Sequence, residues 1–209
     1  FNGEIYNYKE IRKALVSRGY KFSGFSDTEV LKNSFLEWGN NCVNYLRGMF
    51  SFIIWNEKKK ELSAFVDRFG IKPLFYTKYN NLLILSSEIK AILDFLPDEK
   101  KINEKSIFKF ISRGWADTNE ETFFKNIKRL PASSLLNFSL NQMKVKKYWK
   151  LKFEETINFD KKNFSKIFKE NISLHLNSDV PIATTLSGGL DSSSITSISS
   201  DLLGKSKSP

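Results

Sequence analysis

Near its C-terminal end the chain runs Leu186-Ser187-Gly188-Gly189-Leu190-Asp191-Ser192-Ser193-Ser194, and no other stretch limits the possible folds so tightly. Pro181-Ile182-Ala183-Thr184-Thr185 precedes it, short and rich in β-branched residues, which predicts a buried strand that stops at the glycine pair. After the glycines the pattern turns helical. Glycines let backbone N–H groups come close to an anion, and a helix starting there points its positive end and unpaired N–H groups at the same spot. Serine hydroxyls add donors, and Asp191 offers a handle for a magnesium ion arriving with phosphates. The stretch suits a polyphosphate, although it lacks the lysine of a Walker loop.

At 209 residues, with 41% hydrophobic content and 19 Phe, the chain can hold one large or two modest globular domains. The net charge of +10 comes mostly from lysine, whereas arginine is the usual reader of bases and phosphates. A solvated lysine-rich surface is therefore expected, not a nucleic-acid partner. The single cysteine, Cys42, excludes an internal disulfide framework and fits a reducing, cytoplasmic compartment. With no base nearby in the sequence, it reads as a small buried hydrophobe. No apolar run is long enough for a membrane span, so no membrane partner is expected. Because the chain starts at Phe1 without methionine and stops shortly past a helix, it is expected to be a fragment truncated at both ends.

From the N-terminus, Asn2-Gly3 taken alone reads as a turn. A helix is predicted over 8–18, capped by Asn7 with Glu10 in capping-box position and ended by Gly19. A second is predicted over 30–38, after a Ser26…Glu29 capping box. From Met49 the period becomes that of strands, predicting β segments at 49–55, 62–67, 74–79 and 82–86. Helices are expected at 87–93 and 106–112, and a hairpin over 134–151 around Asn141-Gln142. Successive antiparallel strands flanked by helices define an α+β layered domain. The segment 150–160 is the expected linker, and a long amphipathic helix from Phe164 to Leu176 leads into the phosphate-loop strand.

Several stations agree on one family. The stretch Ser187–Ser193 resembles the S-G-G-x-D-S loop of ATP pyrophosphatase (PP-loop) enzymes. With Asn2-Gly3-Glu4-Ile5-Tyr6-Asn7, Ser26-Asp27-Thr28-Glu29, Gly48-Met49-Phe50-Ser51-Phe52, Asp67-Arg68-Phe69-Gly70-Ile71-Lys72-Pro73-Leu74, Ser87-Glu88-Ile89-Lys90-Ala91 and the run from Ser178-Asp179-Val180-Pro181 through Ser193 in this order, the sequence resembles the glutamine-hydrolysing asparagine synthetases over essentially the whole chain. The resemblance implies an α+β, α/β/β/α layered glutaminase domain of mostly antiparallel sheets over 1–152. It implies the start of an α/β parallel-sheet PP-loop domain over 153–209.

It also implies roles. In that family an N-terminal cysteine attacks glutamine, and that residue precedes Phe1. Asn2 and Gly3 match the oxyanion pair, a side-chain amide and a backbone N–H, and contribute to glutamine binding. Glu4 and Asp27 match the carboxylates that hold the glutamine α-ammonium, which reverses the turn and cap readings for Asn2-Gly3 and Asp27. Leu186, Ser187, Gly188, Gly189, Leu190, Asp191, Ser192 and Ser193 match the ATP cradle, with Asp191 the magnesium and pyrophosphate contact. The implied reaction consumes glutamine, aspartate and ATP with magnesium. It runs through an aspartyl adenylate and releases AMP and pyrophosphate; a homodimer is left open. Two alternatives stand beside it: a relative amidating another carboxylate, and a PP-loop enzyme modifying tRNA.

Overall fold

The computed structural model describes residues 1–116, 119–140, 142–153 and 159–204. The chain divides into two compact units, Phe1–Leu151 and Lys152–Pro209. Among the described residues no helix is long and apolar enough to cross a membrane.

The first unit is built on β1 (Asn2–Ile5), α1 (Tyr8–Val16), α2 (Asp27–Trp38), β2 (Gly48–Asn56), β3 (Glu61–Val66), β4 (Phe75–Tyr79), β5 (Leu82–Ser86), α3 (Ile89–Phe95), α4 (Glu104–Arg113), β6 (Lys128–Arg129), β7 (Ser134–Ser139) and β8 (Gln142–Lys147). Every ladder is antiparallel. One sheet has five strands in the order β1-β2-β3-β7-β8, the other three in the order β5-β4-β6. Alternation places Phe50, Phe52, Phe65 and Leu135 on one face of the larger sheet, where they bury against Ile11 and Leu15 of α1 and Val30 and Leu31 of α2. On its other face Ala64, Val66 and Leu136 pack with Leu74, Tyr76, Leu83 and Leu85 around the smaller sheet. The unit is α+β, with two sheets face to face and helices outside, as the strand-then-helix pattern requires.

The four strands predicted from 49 to 86 form within a residue or two of their expected bounds. The hairpin forms as well, with Asn141 outside the described residues. Two local readings need correction. Asn2-Gly3 is not a turn but the start of β1, the edge strand of the larger sheet. Asn7 does not cap α1 with its side chain. Its Nδ2 donates to the Tyr45 carbonyl at 3.0 Å and its Oδ1 accepts from the Arg47 N–H at 2.9 Å, so Asn7 ties β1 to the loop before β2. Ser26 does cap α2, accepting from the Glu29 N–H. Glu29 closes no box; it accepts from the Ser23 and Gly24 N–H groups and holds the loop leading into the helix.

The second unit contains α5 (Lys161–His175) and α6 (Leu190–Gly204). Asp160 caps α5 through the Lys162 N–H. The linker expectation falls partly on residues 154–158, which lie outside the described residues. The strand expected at 181–185 does not form. The segment has no regular secondary structure, and all of it but half-buried Ile182 is exposed. A strand exists through its neighbours' hydrogen bonds, and a parallel sheet needs both faces covered. Among the described residues of this unit there is no second strand to supply either.

Candidate active site at the free edge of β1

The edge strand β1 is positioned by two acidic residues and two glycines. Asp67, buried at the end of β3, accepts four backbone N–H groups: Phe69 (3.0 Å) and Ile71 (3.1 Å) on Oδ1, and Phe50 (3.1 Å) and Lys72 (3.0 Å) on Oδ2. The Phe50 carbonyl in turn accepts the Asp67 N–H at 2.9 Å. Both backbone groups of Phe50 are therefore committed to the β3 side. Gly3 stands opposite Phe50 in the β1–β2 register. In an antiparallel ladder such a pair is the narrow, non-hydrogen-bonded kind, so the Gly3 N–H points out from the free edge of β1.

The next outward-pointing N–H, that of Ile5, donates to Asp27 Oδ2 at 3.1 Å. This bond brings the first residue of α2 to the strand edge beside Glu4; among the described residues Asp27 Oδ1 has a long contact, 3.4 Å, from the Thr28 hydroxyl. Close approach of the strands requires glycine at two positions. A Cβ on Gly3, whose φ is +134°, would lie 2.0 Å from the Met49 carbonyl oxygen, and one on Gly48 would lie 2.0 Å from that of Glu4. Asn2, exposed, donates from Nδ2 to the Ser87 hydroxyl at 3.2 Å. Asn2, Gly3, Glu4 and Asp27 thus come together at one solvent-facing edge that offers amide donors at one end and carboxylates at the other. Ser87 and Asp67 are the participants to which the sequence assigned no chemistry. Their partners are an amide 85 residues away in sequence and a set of backbone N–H groups, and neither leaves a spacing signal.

Cys42 lies in the 3₁₀ turn Gly39–Asn44 and is fully buried among Ile5, Leu15, Leu46 and Phe50. Burial pushes its thiol up to about 12, so it is held as a protonated hydrophobe and supplies no nucleophile. Its stabilising contribution is complete below its ordinary value of 9.0 and is lost as pH rises through the folded value. The Tyr6, Tyr76 and Tyr148 phenols are displaced in the same direction, each chiefly by burial. The urea midpoint is accordingly expected to fall steadily between pH 9 and pH 11 while the native thiol stays inert to a disulfide reagent at pH 8. A flat midpoint over that range contradicts the assignment.

In the second unit the predicted loop residues are adjacent in space. Gly188 has φ +82°, and nothing lies within 4 Å of the position its Cβ would take, so the backbone is open to a ligand. The Ser187 and Ser192 hydroxyls are 2.9 Å apart, Ser192 Oγ donates to the Gly189 carbonyl at 3.1 Å, and the Ser193 N–H donates to the same carbonyl at 3.1 Å. The N-terminus of α6 begins at Leu190, and the Leu186 and Leu190 side chains are exposed, so their contribution to a cradle is backbone. This donor set fits phosphate oxygens. Asp191 is exposed, and no group of three or more His, Cys, Asp or Glu that could hold a metal exists among the described residues. A single exposed carboxylate beside this donor set fits a magnesium ion that arrives with phosphates.

The first unit thus sets an outward-facing backbone N–H, a side-chain amide and two carboxylates along the free edge of a layered antiparallel fold. The described fold matches a solved glutamine phosphoribosylpyrophosphate amidotransferase from B. subtilis with a TM-score of 0.52, over 71% of this chain and 28% of that one, at 19% identity, which speaks for the fold alone. The chain belongs to the glutamine amidotransferase domain family, whose model matches residues 1–149, and residues 163–206 match the asparagine synthase family model. It is 40% identical over 201 residues to glutamine-hydrolyzing asparagine synthetase 3 of Bacillus subtilis (strain 168), covering 95% of this chain and 33% of that protein. It is 33% identical to a putative glutamine-hydrolyzing asparagine synthetase 2 of Methanocaldococcus jannaschii, covering 99% and 41%. It is 32% identical to amidase chyE of Penicillium rubens, covering 97% and 30%. The chain thus spans about a third of the length of most curated relatives it matches.

Proposed function

We propose that the protein of which this chain forms part makes asparagine from aspartate, using ammonia released from glutamine and ATP as the activating substrate. The observation that carries the reading is the outward-facing Gly3 N–H beside the Asn2 amide, with Asp27 fixed two residues further along the same edge. Glutamine lies along β1. Its α-ammonium meets Glu4 and Asp27 Oδ1, and its side-chain carbonyl meets the Asn2 Nδ2 and Gly3 N–H donors. A cysteine thiolate, expected ahead of Phe1 from the family pattern, adds to the carboxamide carbon, and the carbonyl electrons move onto oxygen. That charge exists only in the tetrahedral intermediate, so two donors placed in advance stabilise it without a reorganisation cost. The cysteine's own α-amino group, which takes the thiol proton, passes it to the amide nitrogen; collapse then breaks the C–N bond, expels ammonia and leaves a thioester, which water cleaves to glutamate.

Ser187, Gly188, Gly189, Ser192, Ser193 and the backbone of Leu186 and Leu190 hold the ATP phosphates, and Asp191 holds the magnesium that accompanies them. The aspartate side-chain carboxylate bonds to the α-phosphorus as the bond to pyrophosphate breaks, giving the aspartyl adenylate; magnesium, when bound, would neutralise charge on the departing pyrophosphate. Ammonia then attacks the aspartyl adenylate to give asparagine and AMP. Free ammonia is mostly ammonium at neutral pH, which is why both sites belong on one chain.

Changing Asp27 to Asn tests the first site. It keeps an oxygen for the Ile5 N–H but removes the charge facing the substrate ammonium. KM for glutamine should rise on the order of 10- to 50-fold with kcat nearly unchanged, the signature of lost ground-state binding to a charged partner. An unchanged KM would remove Asp27 from the site. A second reading is amidation of a different carboxylic acid; what favours it is that one similar relative bears the name amidase and not asparagine synthetase. Asparagine formation from aspartate by the full-length protein decides between them.

A further inference from the structure

We infer that Ser87 is the positioning residue for the Asn2 amide in glutamine hydrolysis. This rests on the reading of Asn2 as an oxyanion donor and extends it to a residue outside β1. Asn2 lies on the edge strand of the larger sheet, and Ser87 follows β5, the edge strand of the smaller one. The two are 85 residues apart in sequence and are joined by the bond from Asn2 Nδ2 to Ser87 Oγ at 3.2 Å. Ser86, its neighbour, is engaged differently, accepting from the Glu88 N–H ahead of α3, so the corner is shaped without using the Ser87 hydroxyl. Among the described residues Asn2 is the one hydrogen-bond partner of the Ser87 side chain.

The chemistry of an exposed asparagine makes that bond consequential. The amide torsion of Asn is broad and two-fold, so an untethered Asn2 on the protein surface spends much of its time turned away or with its oxygen toward the reacting carbonyl. An amide nitrogen has two protons. Ser87 takes one, which fixes the plane of the amide, and the other stays available for the oxyanion. Donors stabilise the transition state to the extent that they are already aimed when charge develops, so loss of the tether should appear in kcat and not in glutamine binding.

The test is steady-state glutamine hydrolysis by the full-length protein and its S87A, S87T, N2A and N2A/S87A variants, followed as glutamate release, with melting temperatures recorded for each. Ser87→Ala should lower kcat about fivefold, the rate equivalent of one ordinary hydrogen bond, with KM within about twofold of the parent. Ser87→Thr, which keeps the hydroxyl, should recover most of the rate. In the N2A background Ser87→Ala should cost nothing more, because a tether without its amide has nothing to aim. A parental kcat in S87A, a loss confined to KM, or a loss that adds in full to that of N2A each overturns the proposal. If the parent hydrolyses glutamine normally, only the role of Ser87 falls; a parent that hydrolyses none overturns the glutaminase reading with it.

Discussion

Replacing Gly3 with alanine is expected to cost the first unit about 3 to 5 kcal/mol and to abolish glutamine hydrolysis in whatever remains folded. The new Cβ would stand 2.0 Å from the Met49 carbonyl oxygen, 2.7 Å from the Phe50 Cα and 2.9 Å from the Met49 carbonyl carbon, all of them backbone atoms. No side chain can swing away to relieve that contact, so β1 must move off β2. A φ of +134° adds strain for any L side chain. The outward aim of the Gly3 N–H depends on the same pairing, so stability and chemistry fail together. Gly114 provides the control: it ends α4 at φ +68°, with nothing within 4 Å of its would-be Cβ. Gly114→Ala should cost only the left-handed backbone penalty, about 1 kcal/mol. Thermal melts of the two full-length variants should differ by on the order of 10 °C. Equal melting temperatures would show that β1 does not approach β2 as closely as described.

Asp67→Asn should be nearly as damaging, although it changes one atom. Each carboxylate oxygen accepts two backbone N–H groups in a buried place, so either orientation of an asparagine amide turns one acceptor into a donor facing two donors. Two stranded N–H groups and the loss of two charge-assisted bonds amount to about 4 kcal/mol. The urea midpoint should fall with the slope unchanged. Because Asp67 also commits Phe50 to the β3 side, the surviving folded protein should hydrolyse glutamine more slowly. A stability loss under about 1 kcal/mol would mean the four N–H groups have other acceptors.

These two residues also mark where the sequence was legible and where it was not. Strands β2 to β5 were legible because alternation writes burial directly into the chain, and α2 because Ser26 caps it. Gly3 was misread because Asn-Gly signals a turn by local propensity, whereas here glycine answers a neighbouring strand that no local rule can see. Asn7 failed for the same reason: its partners Tyr45 and Arg47 are about 40 residues away and outcompete the helix N–H groups. The turn-then-helix pattern of Ser187 to Ser193 was legible by composition, yet the strand predicted before it did not form, since a strand is a property of its neighbours as much as of its residues. The roles of Glu4 and Asp27 came from resemblance alone. What the structure adds is that Asp27 reaches β1 through the Ile5 N–H.

The measurement that bears most directly on the central claim is product accounting by the full-length protein given glutamine, ATP, magnesium and aspartate. The account predicts that pyrophosphate release depends on aspartate, and that asparagine, glutamate and pyrophosphate appear in equal amounts. Pyrophosphate released without aspartate, or asparagine formed while glutamine stays intact, would contradict it.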